Sequence, residues 1–284
     1  MAERTGGVIV NADSAQVYRD LPVLSAAPTP DELGRAEHRL YGYLDGAESC
    51  SAADWAKRAK IEIGAIQSDG RLPILVGGTG LYIRTLLNGI APVPPIRAEI
   101  RAAVRSATVQ ENRAQLKRRD PAAAEQLGAN DSTRIARALE VVLSTGQTLS
   151  DWQQHREGGI GGDVDLTPLI LLPPRDWLYA RCDRRFWAMM EHGAVDEVRS
   201  LLARGLNSDL PIMRAIGVRE IAACLSGETR REQAIAAGQQ ATRRYAKRQY
   251  TWFVHQPPAD WRRFSEPLEP SAVSRALELL MPKA

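Results

Sequence analysis

The chain has 284 residues, with 37 Lys plus Arg against 34 Asp plus Glu (net charge +3), and is 25% charged and 44% hydrophobic. This is the balance of a folded protein of one or two domains, long enough to bury a core without staples, and it excludes a disordered chain. Cys50, Cys182 and Cys224 lie far apart with no CxxC pair; they indicate neither a disulfide framework nor a thiolate zinc site and point to a reducing cytoplasm, and no apolar run approaches the roughly 20 residues of a membrane span.

Three short apolar runs end in residues capable of chemistry: Val8-Ile9-Val10 before Asn11-Ala12-Asp13, Pro73-Ile74-Leu75-Val76 before Gly77-Gly78-Thr79, and Leu169-Ile170-Leu171-Leu172 before Pro173-Pro174. Continuous apolar strands bounded by Gly or Pro predict parallel strands buried on both faces, with ligand residues at their carboxyl ends. A helix from about Ser51 to Gln67, with Ser51 as N-cap, supplies the crossover of a βαβ unit. From Pro92 to Thr167 the sequence turns Arg-, Ala-, Glu- and Gln-rich with helical periodicity, bounded by a Pro cluster and a Gly cluster, which predicts a helical insertion. Beyond it, 175–204 and 228–254 read as two long helices and Trp261–Phe264 as a short closing strand.

Asp13, directly after the first strand, sits where an open α/β sheet holds its ligand. It can accept a proton, bind Mg²⁺ through water, or simply cap the next turn. Gly77-Gly78-Thr79-Gly80 between strand and helix can turn backbone N–H groups and the Thr79 hydroxyl toward an anion, or be an ordinary tight turn. Arg243, Arg244, Lys247 and Arg248, interleaved with Tyr245, Tyr250, Trp252 and Phe253, concentrate positive charge beside aromatic rings, a pattern suited to a nucleic-acid backbone with stacked bases. Further cationic strips are Arg97, Arg101 and Arg105, and Arg134 with Arg137 after the cap-like Asn130-Asp131-Ser132-Thr133; each alone also fits a solvated face. Arg214, flanked by Ile212, Met213, Ala215 and Ile216, must snorkel or meet a charged partner, a diphosphate or a carboxylate. The four histidines have no metal spacing.

Taken in order, Asn11–Tyr18, Leu75–Tyr82, Asn130–Val141 and Ala241–Phe253 resemble the tRNA dimethylallyltransferase family, also called isopentenyl-tRNA transferases. The resemblance implies a P-loop-NTPase-like α/β core formed by residues 1–95 and 168–284, with a helical tRNA-binding insertion at 96–167. It implies transfer of a dimethylallyl group from dimethylallyl diphosphate to the exocyclic amine of the adenosine 3′ of the anticodon, in tRNAs that read codons beginning with U. The implied setting is a cytoplasmic monomer using Mg²⁺ with no assigned ligands, and the implied partner is the tRNA anticodon stem-loop.

Carried over by position, Asp13 resembles the general base, Thr79 a residue of the reaction channel and Arg214 the arginine that holds the diphosphate. The stretches Asp13, Ser14, Ala15 and Gln16, then Thr79, Arg101, then Thr133, Arg134, Ile135, Ala136 and Arg137, and finally Arg244, Tyr245, Ala246, Lys247, Arg248 and Gln249 match tRNA-contact positions.

The pattern departs from the family in three places. Relatives carry a strand and a phosphate loop close to Gly-x-Thr-x-Ser/Thr-Gly-Lys-Ser/Thr before the strand that ends at Asp13. Here only seven residues precede Val8, against the roughly 30 that strand, loop and helix need. The expectation is a chain that lacks this element and is inactive as written, an upstream-extended version being active. Leu21–Pro30 lacks the usual Gly-Thr-Ala-Lys-Pro run, and Val254 stands where an arginine often follows Trp-Phe. Two other readings of the residues are a non-catalytic tRNA-binding remnant and an adenylate isopentenyltransferase or small-molecule kinase on the same core.

Overall fold

The computed structural model describes residues 1–280, which divide into two compact units, Met1–Leu86 with Val164–Ala284 and Leu87–Asp163. In the first unit the short helix α1 (Ala2–Thr5) leads into β1 (Val8–Asn11), then α2 (Pro30–Arg35), β2 (His38–Arg39), α3 (Ala52–Ser68), β3 (Pro73–Val76) and α4 (Gly80–Asn88). β1 pairs in parallel with both β2 and β3, in the order β2-β1-β3. Val8 and Val10 are fully buried, as the continuous apolar run requires of a central strand.

α3 is the crossover. Ser51 and Asp54 close a capping box at its start, and its inner face buries Trp55, Ala59 and Ile66 completely. Trp55 lies flat on Tyr82 of α4, ring centroids 4.5 Å apart, and its indole N–H donates to the Asn11 carbonyl at 3.0 Å. Stacking of this kind adds about 0.5–1.5 kcal/mol beyond the area it buries.

The second unit is all helical: α5 (Ala98–Ser106), α6 (Val109–Arg119), α7 (Pro121–Gln126), α8 (Ser132–Thr145) and α9 (Leu149–Gln154). Leu116, Ile135 and Leu139 are fully buried at its centre, with Val104, Ala136 and Val142 around them. Glu140, 1% exposed, faces the same interior, and Arg105 Nε donates to it at 2.6 Å. A buried carboxylate without that partner would be strongly destabilising.

Returning to the first unit, β4 (Leu169–Leu171) is followed by α10 (Arg175–Glu191), α11 (Ala194–Ala203), a 3₁₀ turn at Pro211–Arg214, α12 (Val218–Leu225), α13 (Arg231–His255), β5 (Arg262–Phe264) and α14 (Pro270–Glu278). Two expectations are corrected here. The third apolar run does form a strand, but β4 pairs in parallel with β5 as a separate two-stranded sheet instead of joining β1 and β3. The helix read across 175–204 is two helices, because Gly193 takes a left-handed φ of 110° that an α-helix cannot continue through.

α10 and α13 pack tightly. Phe186, 2% exposed, presses on the backbone of α13 at Gly238, where any Cβ would collide with its ring. Ion pairs from Arg231 to Glu191 and from Arg243 to Asp183 flank this contact. Glycine inside a helix normally costs roughly 1 kcal/mol relative to alanine, so its presence in the interior of a 25-residue helix reflects this close approach.

Gly238→Ala is therefore expected to destabilise the protein by about 1–3 kcal/mol through overpacking, the reverse of the usual helix preference, as read from the midpoint of denaturant unfolding.

Candidate active site

The loop after β1 is built around Asn11, which is fully buried. Its side-chain oxygen accepts the Asp13 amide at 2.8 Å, and its amide group donates to the carbonyls of Leu40 at 2.9 Å and Asp13 at 3.1 Å. The chain is thereby turned so that Asp13 faces a cavity while Oδ1 accepts the Ala15 amide at 2.8 Å. Burial pushes the Asp13 carboxyl above the ordinary aspartate value, while the Ala15 amide and the Arg185 charge pull the other way.

The glycine turn is closely packed by its neighbours. A Cβ at Gly77 would strike the Ala12 backbone, one at Gly78 the Gln249 amide, and one at Gly80 the Trp252 indole. These glycines make room for the Ala12 backbone and for Gln249 and Trp252 of α13. Thr79 is likewise engaged: its hydroxyl accepts the Ser14 amide at 2.9 Å and donates to Ser14 Oγ at 3.2 Å, and its amide donates to Ala12 O at 3.1 Å. Gln249 Nε2 donates to Gly78 O at 3.0 Å, closing the contact from the α13 side.

Beside this junction lies a cavity of about 360 Å³. Asp13, Ser14 and Ala15 form one wall, and Arg185, Arg214 and Arg248 bring three guanidinium groups from α10, the 3₁₀ turn and α13. Leu21, Leu24, Phe186, Met189 and Ile212, all buried, make an apolar floor, and Tyr245 and Thr242 complete the lining. Asp13 is the single carboxylate on these walls. Such a cavity suits a ligand with an apolar group joined to an anionic one.

Of the residues singled out from sequence, Asp13, Ser14, Ala15, Arg214, Tyr245 and Arg248 meet at the cavity, with Thr79 and Gln249 holding the adjoining loop. Arg214 is exposed at the end of the 3₁₀ turn, and among the described residues its side chain has no hydrogen-bond or ionic partner; of the two partners foreseen, the carboxylate is not there. Gln16 is turned away, donating to the carbonyls of Ser25 at 3.2 Å and Ala26 at 2.6 Å. Arg244 and Lys247 are exposed on α13, whereas Ala246 is buried.

In the helical unit Ile135 and Ala136 are corrected: their side chains sit in the core and cannot offer surface to a partner. Arg105 is committed to Glu140, Arg134 pairs with Asp131, and Arg97 with Glu99. Arg101 and Thr133 are exposed and Arg137 is half-buried, its pKa lowered chiefly by burial and also by the neighbouring Arg101 and Arg105 charges.

Arg185 and the apolar floor were not among the sequence candidates. Phe186 and Met189 appear in the sequence as a helix stripe that reads as core, and Arg185 adjoins Asp183 and Arg184, a charge run with the look of a solvated face. No local signal separates Arg185 from them. For magnesium the donor set is poor: among the described residues no three His, Cys, Asp or Glu come together, and one carboxylate does not make a metal cage.

A family model described as IPP transferase matches residues 16–256. The chain is 64% identical over 256 residues, 90% of its length and 81% of the relative's, to a tRNA dimethylallyltransferase of Erythrobacter litoralis. It is 52% identical to one of Zymomonas mobilis, across 92% of this chain and 84% of that protein. Among solved structures, the full-length tRNA isopentenylpyrophosphate transferase of Bacillus halodurans matches 98% of this chain and 87% of its own, with a TM-score of 0.69 and 34% identity. A eukaryotic dimethylallyltransferase acting on tRNA shares the fold, with a TM-score of 0.81 at 24% identity across 97% and 72% of the two chains. The chain belongs to the IPP transferase family.

Asp13→Asn tests the cost of desolvating this carboxylate. Because burial raises the folded-state pKa of Asp13, its contribution to stability is fully present below the unfolded pKa and is lost as pH rises through the folded value. The neutral amide, still able to accept the Ala15 N–H, is expected to leave thermal stability at pH 7 equal to or above that of the unchanged chain.

Proposed function

We propose that this protein is a tRNA dimethylallyltransferase that modifies the exocyclic amine of the adenosine 3′ of the anticodon, with dimethylallyl diphosphate as co-substrate. The observation that carries this reading is the composition of one cavity: a single half-buried carboxylate, three arginines and an apolar floor. The family membership and the names of the relatives support it.

The chemistry balances with these groups. The adenine amine nitrogen attacks the first carbon of the allyl group, the carbon–oxygen bond breaks, and its electron pair leaves with the diphosphate. Asp13 takes the proton released from the amine. Its raised pKa makes it a stronger base than an exposed aspartate, provided it is ionised at the working pH. Arg185, Arg214 and Arg248 stabilise the negative charge that grows on the leaving group. The apolar floor holds the dimethylallyl chain and keeps water from the electrophilic carbon. The residues lining the cavity do not themselves make a magnesium site; a magnesium ion, if used, would enter with the diphosphate and would help neutralise its charge.

The tRNA is gripped through the exposed cations Arg244 and Lys247 on α13 and, in the helical unit, through exposed Arg101 with half-buried Arg137 beside it. The adenosine has to leave its stack to reach the half-buried Asp13 carboxylate, as in other enzymes that act on a base. The number of exposed cations on α13 favours a polynucleotide over a free nucleotide.

The test is to incubate the chain, as given and with any in-frame residues encoded upstream, with dimethylallyl diphosphate, Mg²⁺ and unmodified tRNA, and to look for the added mass on that adenosine. The rate is expected to fall as pH drops through a value above the ordinary aspartate range, and Asp13→Asn to lose at least about 100-fold, the lower end of general-base contributions. Added mass on a different nucleotide, or none from either version, overturns the reading. In salt titrations of tRNA binding, Arg244→Ala and Lys247→Ala are each expected to reduce the log–log slope by about 0.7–1, one phosphate contact apiece.

A further inference from the structure

Glu197 lies on α11, a helix that contributes no side chain to the cavity. Its carboxylate nevertheless reaches a segment more than 170 positions away, accepting the Val23 amide at 2.6 Å and the Leu24 amide at 2.9 Å. That segment is a tight turn, with backbone bonds from Ser25 to Leu21, Ala26 to Val23 and Ala27 to Pro22. Three of its residues, Leu21, Leu24 and Ser25, line the cavity.

The turn has no helix or strand of its own to hold it, and it contains a strained position. Ala26 takes a φ of +55°, the left-handed region that a non-glycine residue avoids. Strain of that kind persists only where the surroundings over-determine it. Here Gln16 holds the carbonyls of Ser25 and Ala26, and Arg204, at the C-terminal end of α11, pairs with Asp20 and Asp45 just outside the turn. Among the described residues Glu197 is the side-chain partner of the Val23 and Leu24 amides, and a carboxylate oxygen makes a stronger bond than a neutral acceptor. Its position explains why an acidic residue sits half-buried against an apolar wall despite a pKa raised by burial.

We propose that Glu197 is a positioning residue that holds the Leu21–Ala27 turn as the apolar wall against which the allylic chain is seated. This rests on the transferase reading above. Without the carboxylate, two amides lose their acceptors and Leu24, 8% exposed, is free to swing from the floor. The consequence falls on how well the diphosphate substrate's hydrocarbon chain is gripped and measured, not on the general base.

The experiment compares the unchanged protein with Glu197→Gln, Glu197→Ala and, as a control on the exposed face of the same helix, Arg199→Ala. Measured are kcat and KM for dimethylallyl diphosphate on unmodified tRNA, the transfer of geranyl relative to dimethylallyl groups, tRNA affinity and thermal melting. Glu197→Ala is expected to raise KM about tenfold or more, the loss of hydrogen bonds to a charged group, and to increase the geranyl share of product. Glu197→Gln, which keeps one acceptor oxygen and the shape, falls between, and Arg199→Ala and tRNA affinity stay within about twofold. The inference is overturned if KM and product ratio are unchanged in both Glu197 variants, or if their only defect is a smaller folded fraction. Absence of any transfer by the unchanged protein overturns the transferase reading first, and this inference with it.

Discussion

The close approach of α13 to the ends of β1 and β3 is the constraint on which the rest of the first unit depends. Gly77, Gly78 and Gly80 give up their side chains so that the Ala12 backbone, Gln249 and Trp252 can lie where Cβ atoms would stand. The same logic recurs at Gly238, where Phe186 takes the space. Interiors pack like crystals, so such contacts have little tolerance for an added methylene. They bring α10 and α13 against the strand ends, and the cavity is what remains between them.

Within that frame the electrostatics follow. Asn11 spends a fully buried amide on shaping the loop, so that Asp13 is presented to the cavity with one oxygen satisfied. A carboxylate in that position is destabilised by burial, and the Arg185 charge partly offsets the penalty. Three arginines around one aspartate leave the cavity with an excess of positive charge, which an anionic ligand neutralises better than any side chain present. The arrangement is costly for an empty fold and useful for a reaction in which an anion departs.

The helical unit shows a different division of labour. Its arginines are not equivalent, although their spacing makes them look so. Arg105 is consumed by buried Glu140 and Arg134 by its own N-cap, Asp131, while Arg101 stays exposed and Arg137 is half-buried beside it. A strip of cations read from spacing therefore overstates the charge on offer to a partner.

Much of the architecture was legible in the sequence because it rests on local signals. Apolar runs ending at Asn11 and Val76, the Ser51 N-cap and the helical period of α13 each follow from side-chain burial or backbone satisfaction within a few residues. Asp13 and Arg214 stood out for a related reason, as charged groups at strand ends or among apolar neighbours, where a fold does not place charge without use. What the tertiary structure alone decided was pairing at long range. It put β4 with β5 and not with β3, spent the glycines of the Gly-Gly-Thr-Gly turn on Gln249 and Trp252, buried Ile135 and Ala136, and set Arg185 and the α10 stripe on the wall of the cavity. Periodicity tells which face of a helix is apolar but not what covers it, and a hydrogen bond such as Glu197 to Leu24, 173 residues apart in the chain, leaves no trace in either segment.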